Sequence, residues 1–179
     1  GVQVTAAVAP WEEAKLRLLN GAHSGIAYLG GLAGIDHVHE VLTLPEARTF
    51  VEALWDEAEA TLTPPPELDV AAYRRDLMAR FDNPTLRHRT RQIAMDGSQK
   101  LPQRILGTVR DNLTNGRNCP GLCLAIAAWM IYVGGTDLEG KPIDVRDPLS
   151  DRLKSLVGES DGDAGNADDL VVRQEIAKL

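Results

Sequence analysis

The amino-acid sequence predicts an all-α, multi-helical domain. Apolar residues recur at helical spacing almost throughout, strict period-two alternation is scarce, and no strand leading into a glycine-rich phosphate loop occurs. With 179 residues, 44% of them hydrophobic, the chain is expected to be a single domain, 1–179, able to bury a packed core.

About six or seven helices are expected. The first runs from Trp11 to Leu32, with Pro10 as a start signal and Gly30, Gly31 and Gly34 at its end. A second, Leu44 to Leu62, carries Pro45 and Glu46 in its first turn and stops at the stiff triple proline 64–66. The third spans Asp69 to Phe81, with Asp69 as its cap, and halts at Asn83-Pro84. A fourth covers Thr85 to Met95 and breaks at Asp96-Gly97-Ser98. The fifth starts near Leu101-Pro102 and reaches Thr114, before Asn115-Gly116. The sixth is the apolar stretch from Leu122 to Val133, closed by Gly134-Gly135. A short amphipathic stretch, Pro148 to Val157, precedes a polar segment, 158–166, and a last helix from Asp168 to Leu179. The chain opens at Gly1 without methionine and ends inside a helix, so a piece of a longer protein is expected.

The formal net charge of -7 presents no basic face, which argues against nucleic acid or an anionic membrane as partner. The longest apolar stretch falls short of the roughly 18 residues a membrane span needs, and no signal peptide is evident, so a cytoplasmic location is expected. Cys119 and Cys123, four apart with no histidine nearby, read as reduced, packed cysteines rather than as a disulfide or a metal site. Gly30-Gly31-Leu32-Ala33-Gly34 closes a helix instead of opening one, unlike a dinucleotide loop.

The first helix carries an oddity. At about 100° per residue, Leu18, Leu19, Ala22, Ile26 and Leu29 all fall within roughly 60° of Lys15, which puts the lysine on the apolar stripe. Asn20 and His23 fall at roughly 140° and 80°, along one edge of it. A lysine in low-dielectric surroundings finds its charged form disfavoured and can serve as a base nearer neutral pH. Asn20 and His23 offer the donors that a developing alkoxide or carbonyl oxygen needs. The alternative without chemistry is a snorkelling lysine beside a surface asparagine and a capped histidine.

Lys15 to Ser24, with its K-x4-N-x2-H spacing followed by Tyr28 and Gly30, resembles the signature of the mannitol dehydrogenase family of polyol-specific long-chain dehydrogenases and reductases. A second stretch, Phe81-Asp-Asn-Pro84 through His88 to Gln92-Ile-Ala-Met-Asp-Gly-Ser-Gln-Lys100-Leu-Pro-Gln-Arg104, is similar to the family's second signature. The resemblance covers essentially the whole chain as the family's helical C-terminal domain, which is itself similar to the C-terminal domain of 6-phosphogluconate dehydrogenase. Residues 1–10 would be the end of the linker from an absent N-terminal Rossmann domain.

The resemblance implies an oxidoreductase that interconverts a polyol or aldonic acid with its ketose or keto-uronate. NAD or NADP would be bound mainly by the absent half, no metal would take part, and the isolated domain would be inactive. Lys15 would be the general base and acid, Asn20 would hold the reacting oxygen, and His23 would fix the substrate. Lys100 matches a substrate-contacting lysine, with Arg91 and His88 as further substrate-side candidates. Some mannitol dehydrogenases carry arginine where this chain has Gln92, and Gln92 to Arg104 looks closer to the fructuronate reductase branch, whose keto sugar acid is reduced to D-mannonate. Arg89, Arg91, Lys100 and Arg104 are the cations available to a carboxylate. Mannitol 2-dehydrogenase is the alternative activity. Two other classes compete: a non-catalytic helical association module, and a metal hydrolase built on His37 and His39.

Overall fold

The computed structural model describes residues 8–161. Among them there are helices and two isolated antiparallel bridges, His37 with Arg89 and Thr136 with Pro142, but no sheet. The expected terminal helix, Asp168 to Leu179, and most of the 1–10 linker lie outside the described residues.

The first helix is continuous but not uniform: α1 (Val8–Ala14) passes through a π-helical segment (Lys15–Asn20) into α2 (Gly21–Leu32). In the widened turn the Gly21 amide reaches back five residues to the Leu16 carbonyl. Helix α2 is the axis of the domain, because small and apolar residues on all its faces let neighbours close around it. The short α3 (Val38–Val41), α4 (Pro45–Glu59), α6 (Thr90–Ile93), α7 (Gly97–Leu101) and α9 (Pro120–Tyr132) all pack on it, and most of its residues are buried.

Side chains from α4 tie this arrangement together. The Trp55 indole donates to the Leu18 carbonyl at 2.9 Å, inside the π segment. The Glu57 carboxylate accepts the Gly121 and Leu122 amides, both at 2.8 Å, so a negative group from one helix caps the positive end of another. Asp69 caps α5 (Val70–Phe81) by accepting from the Ala72 amide at 2.9 Å.

Several expectations need correction. The fourth helix is interrupted: a 3-10 turn (Pro84–Leu86) ends at Arg87, whose left-handed backbone (φ 47°) stops propagation before α6 begins. The fifth begins earlier, at Gly97, so Pro102 sits inside the helix instead of in its first turn. Proline has no amide to donate there, and the chain answers with a second π-helical segment (Pro102–Leu106) before α8 (Gly107–Thr114). Helix α10 (Ser150–Asp161) continues past Val157 through Gly158 into the polar segment 158–166. Of the two cysteines, Cys119 is buried, whereas Cys123 is exposed on the outer side of α9.

Candidate active site

The first π segment coincides with the K-x4-N spacing, and this changes the geometry read from a regular helix. A widened turn acts as one inserted residue and rotates everything downstream by about 100°. Ala14, not Lys15, therefore joins Leu18, Ala22 and Ile26 in the core, and Lys15 is exposed. The low-dielectric surroundings expected for the lysine are not supplied by the described residues. The same widening brings the two polar residues together. In an i to i+5 turn, residues five apart are close to one turn apart, as i and i+4 are in an α-helix, so Lys15 and Asn20 share a side instead of standing roughly 140° apart. Neither side chain has a hydrogen-bond or ion-pair partner among the described residues.

His23 begins the next turn, in α2, where its ring lies 4.5 Å from Phe81 and edge-on to His88 at 5.5 Å, centroid to centroid. Its Nε2 is buried without a hydrogen-bond partner. Burial, aided by the neighbouring His88, Arg80 and Arg104, pushes its pKa down to about 4, so the ring is neutral near pH 7.

The second motif is anchored on the same helix. Asp96 takes a left-handed conformation (φ 57°), and its amide bonds to the Arg146 carbonyl at 2.9 Å. Gly97 follows because a Cβ there would collide with the Trp129 indole nitrogen and the Tyr28 hydroxyl. Asp147 then holds Ser98 by amide and hydroxyl, at 2.8 and 2.6 Å. Burial tends to raise this carboxyl's pKa, but the Ser98 bonds outweigh it and leave the group below its usual range. Lys100 donates to the Met95 carbonyl at 2.6 Å and stands 3.7 Å from the Asp96 carboxylate.

The two π segments meet. At Gly21 a Cβ would stand 3.0 Å from the Arg104 carbonyl oxygen, tight enough that the backbone would have to give by a few tenths of an ångström, and the Arg104 guanidinium runs on to donate to the buried Ser24 hydroxyl at 3.2 Å. Residues about eighty positions apart in sequence are thus brought together: Gly21 and Ser24 against Arg104, with His88 beside His23. Arg91 is not brought there. It lines a separate cleft of about 690 Å³ with Gln92, Tyr132 and Asp137, bordered by none of Lys15, Asn20, His23 and Lys100.

His37 is occupied in capping α3: its amide and its Nδ1 lie 3.1 and 3.2 Å from the Glu40 carboxylate. Among the described residues no group of three or more His, Cys, Asp or Glu is arranged to hold a metal. Nor is any helix among them long and apolar enough to cross a membrane. Sequence reasoning passed over Asp147 and Glu57, whose roles depend on partners 49 and 64 residues away.

The fold is a helical domain whose central helix carries Lys15, Asn20 and His23 across a π turn, with a second motif folded onto it. The chain belongs to the mannitol dehydrogenase C-terminal domain family, which it matches over residues 7–174. It is 47% identical over 172 residues to the D-mannonate oxidoreductase of Escherichia coli (strain K12), a match covering 88% of this chain and 35% of that protein. To the uncharacterized oxidoreductase YeiQ of the same organism it is 46% identical over 160 residues, covering 89% of this chain and 33% of the relative. Its structure resembles that of Pseudomonas fluorescens mannitol 2-dehydrogenase in a ternary complex with NAD and D-mannitol, with a TM-score of 0.84 and 34% identity over 88% of this chain and 32% of that one. The chain thus spans about a third of the length of these relatives.

Proposed function

We propose that this chain is the substrate-binding half of an NAD(P)-dependent oxidoreductase that interconverts an aldonic acid, D-mannonate, with its keto acid, fructuronate. The observation that carries the reading is the π turn: its i to i+5 spacing puts Lys15 and Asn20 on one side of the helix, the lysine exposed and neither partnered among the described residues, one turn from the neutral ring of His23. An ion-paired surface lysine would favour a mere association module, and Lys15 has no such pair among the described residues. Burial of that face is left to a second half.

In alcohol oxidation the Lys15 amine takes the hydroxyl proton, and in reduction the ammonium returns it. The Asn20 amide donates to the oxygen as charge develops on it, and His23 and Lys100 hold neighbouring hydroxyls. The glycines 30–34 end a helix and form no phosphate cradle, so these residues do not fit the dinucleotide, which belongs to the other half; when bound, it supplies the hydride acceptor. The acid is preferred to the polyol because one relative is named D-mannonate oxidoreductase, and because two arginines, Arg80 and Arg104, bear on His23 while no carboxylate does among the described residues.

Assaying the two-domain enzyme with D-mannonate, D-mannitol, fructuronate and fructose, with NAD and NADP, tests this. Mannonate and fructuronate are the expected substrates, and Lys15→Ala should lower kcat by about 10² to 10⁴-fold. Retention of most activity without Lys15 contradicts the mechanism, and a preference for mannitol contradicts the substrate.

A further inference from the structure

Six of the seventeen lysines and arginines among the described residues are paired with a carboxylate. Arg17, Arg48, Arg74, Arg146, Lys100 and Lys141 each stand within 4.0 Å of a carboxylate. Arg104 does not. It is partly buried, and among the described residues its side chain has one hydrogen bond, to the Ser24 hydroxyl at 3.2 Å. A guanidinium carries five N–H donors in a planar fork, so most of this one is unspent, and withdrawing it from water without a counter-charge is unfavourable until an anion arrives. Burial accordingly works against its charge.

The surroundings add to the same field. Arg104, Arg80 and His88 are the charged or titratable neighbours that bear on His23, and no carboxylate is among them. His23 itself is neutral near pH 7, with Nε2 buried and unpartnered. Ser24, where the guanidinium head rests, lies four residues beyond Asn20, about 6 Å along the helix axis. That separation is within the length of a six-carbon acid whose reacting oxygen is held at Asn20.

We propose that Arg104 is the specificity-determining residue that receives the substrate's carboxylate, through the free edge of its guanidinium, and so separates an aldonic acid from an uncharged polyol. This rests on the aldonic-acid reading above and names the group that makes the distinction. Lys100 is less suited to the task, because its ammonium is already engaged by the Met95 carbonyl and stands beside the Asp96 carboxylate. A fork-to-carboxylate contact supplies direction as well as attraction, which fixes one end of the chain while Lys15 and Asn20 act on the other.

The test compares kcat/KM for D-mannonate and D-mannitol in the two-domain enzyme, wild type against Arg104→Gln, which keeps a donor for Ser24. Mannonate should lose roughly 10- to 150-fold, mainly through KM, while mannitol changes by less than about threefold. Arg104→Lys keeps the charge without the fork and should fall between the two for mannonate alone, which preserves the test if the glutamine variant fails to fold. Equal losses on both substrates, or none on either, overturn the role of Arg104. A wild-type enzyme that prefers mannitol overturns the aldonic-acid reading instead.

Discussion

His23 is the residue on which stability and the proposed chemistry meet. Its ring is packed against Phe81, and burial, then His88, Arg80 and Arg104, hold its pKa at about 4 against an ordinary 6.5. The folded pKa lies below the unfolded one, so the contribution to stability is complete above about pH 6.5. It is lost as pH falls toward 4, because the unfolded chain takes up a proton that the folded ring refuses. The difference sets an upper bound of about 3 kcal/mol. Urea unfolding at pH 7, 5.5 and 4 should show a decline in this window that His23→Gln flattens. The other described histidines, His37, His39 and His88, remain in both proteins and do not confound the comparison. An equal slope in the variant would mean that the ring is not held neutral by the fold. Catalytically, a ring neutral across this range keeps one fixed donor and contributes no limb of its own to a rate profile above pH 6.

At the scale of the element, the π turn explains what was legible in the sequence and what was not. The K-x4-N-x2-H spacing marked Lys15, Asn20 and His23 as a group, and the apolar period placed helices correctly over 45–59, 70–81 and 120–132. A regular wheel nevertheless put Lys15 on the core stripe, because a one-residue widening leaves no periodic trace in so short a stretch. Pro102 was a visible clue misread as a helix start: a proline inside a helix needs an irregular turn. The approach of the two π segments at Gly21 was invisible, since it pairs backbone atoms more than eighty residues apart. It also yields a test. Gly21→Ala gains about 1 kcal/mol of helix propensity, but its Cβ would press on the Arg104 carbonyl, a backbone atom that cannot swing aside, and overpacking of this kind costs about 1 to 3 kcal/mol. The variant should melt a few degrees lower and lose at least about tenfold in kcat, as Arg104 and Asn20 are pushed apart. A variant that is more stable and fully active would show that the contact has room to spare.

At the scale of the whole molecule, the proposed function needs a second face to cover Lys15 and Asn20. In a completed active site, base and oxygen-binding amide face a substrate shielded from water, because a hydrogen bond aimed at developing charge gains its strength where bulk solvent is excluded. Here the lysine is exposed, Asn20 has no side-chain partner among the described residues, and the glycines 30–34 end α2 instead of forming a phosphate loop, with Gly34 in a left-handed turn (φ 70°). Anion binding at a helix start needs free amides pointing at the ligand, whereas the first amides of α9 are already taken by Glu57. The isolated chain is therefore expected to turn over neither D-mannonate nor D-mannitol and to bind NADH no more tightly than millimolar, even though its Lys15, Asn20 and His23 are all present. Calorimetric titration with NADH is the direct measurement. Micromolar binding by the isolated chain would show that the helical half holds the dinucleotide itself, and the division of labour between cofactor-binding and substrate-binding halves would have to be redrawn.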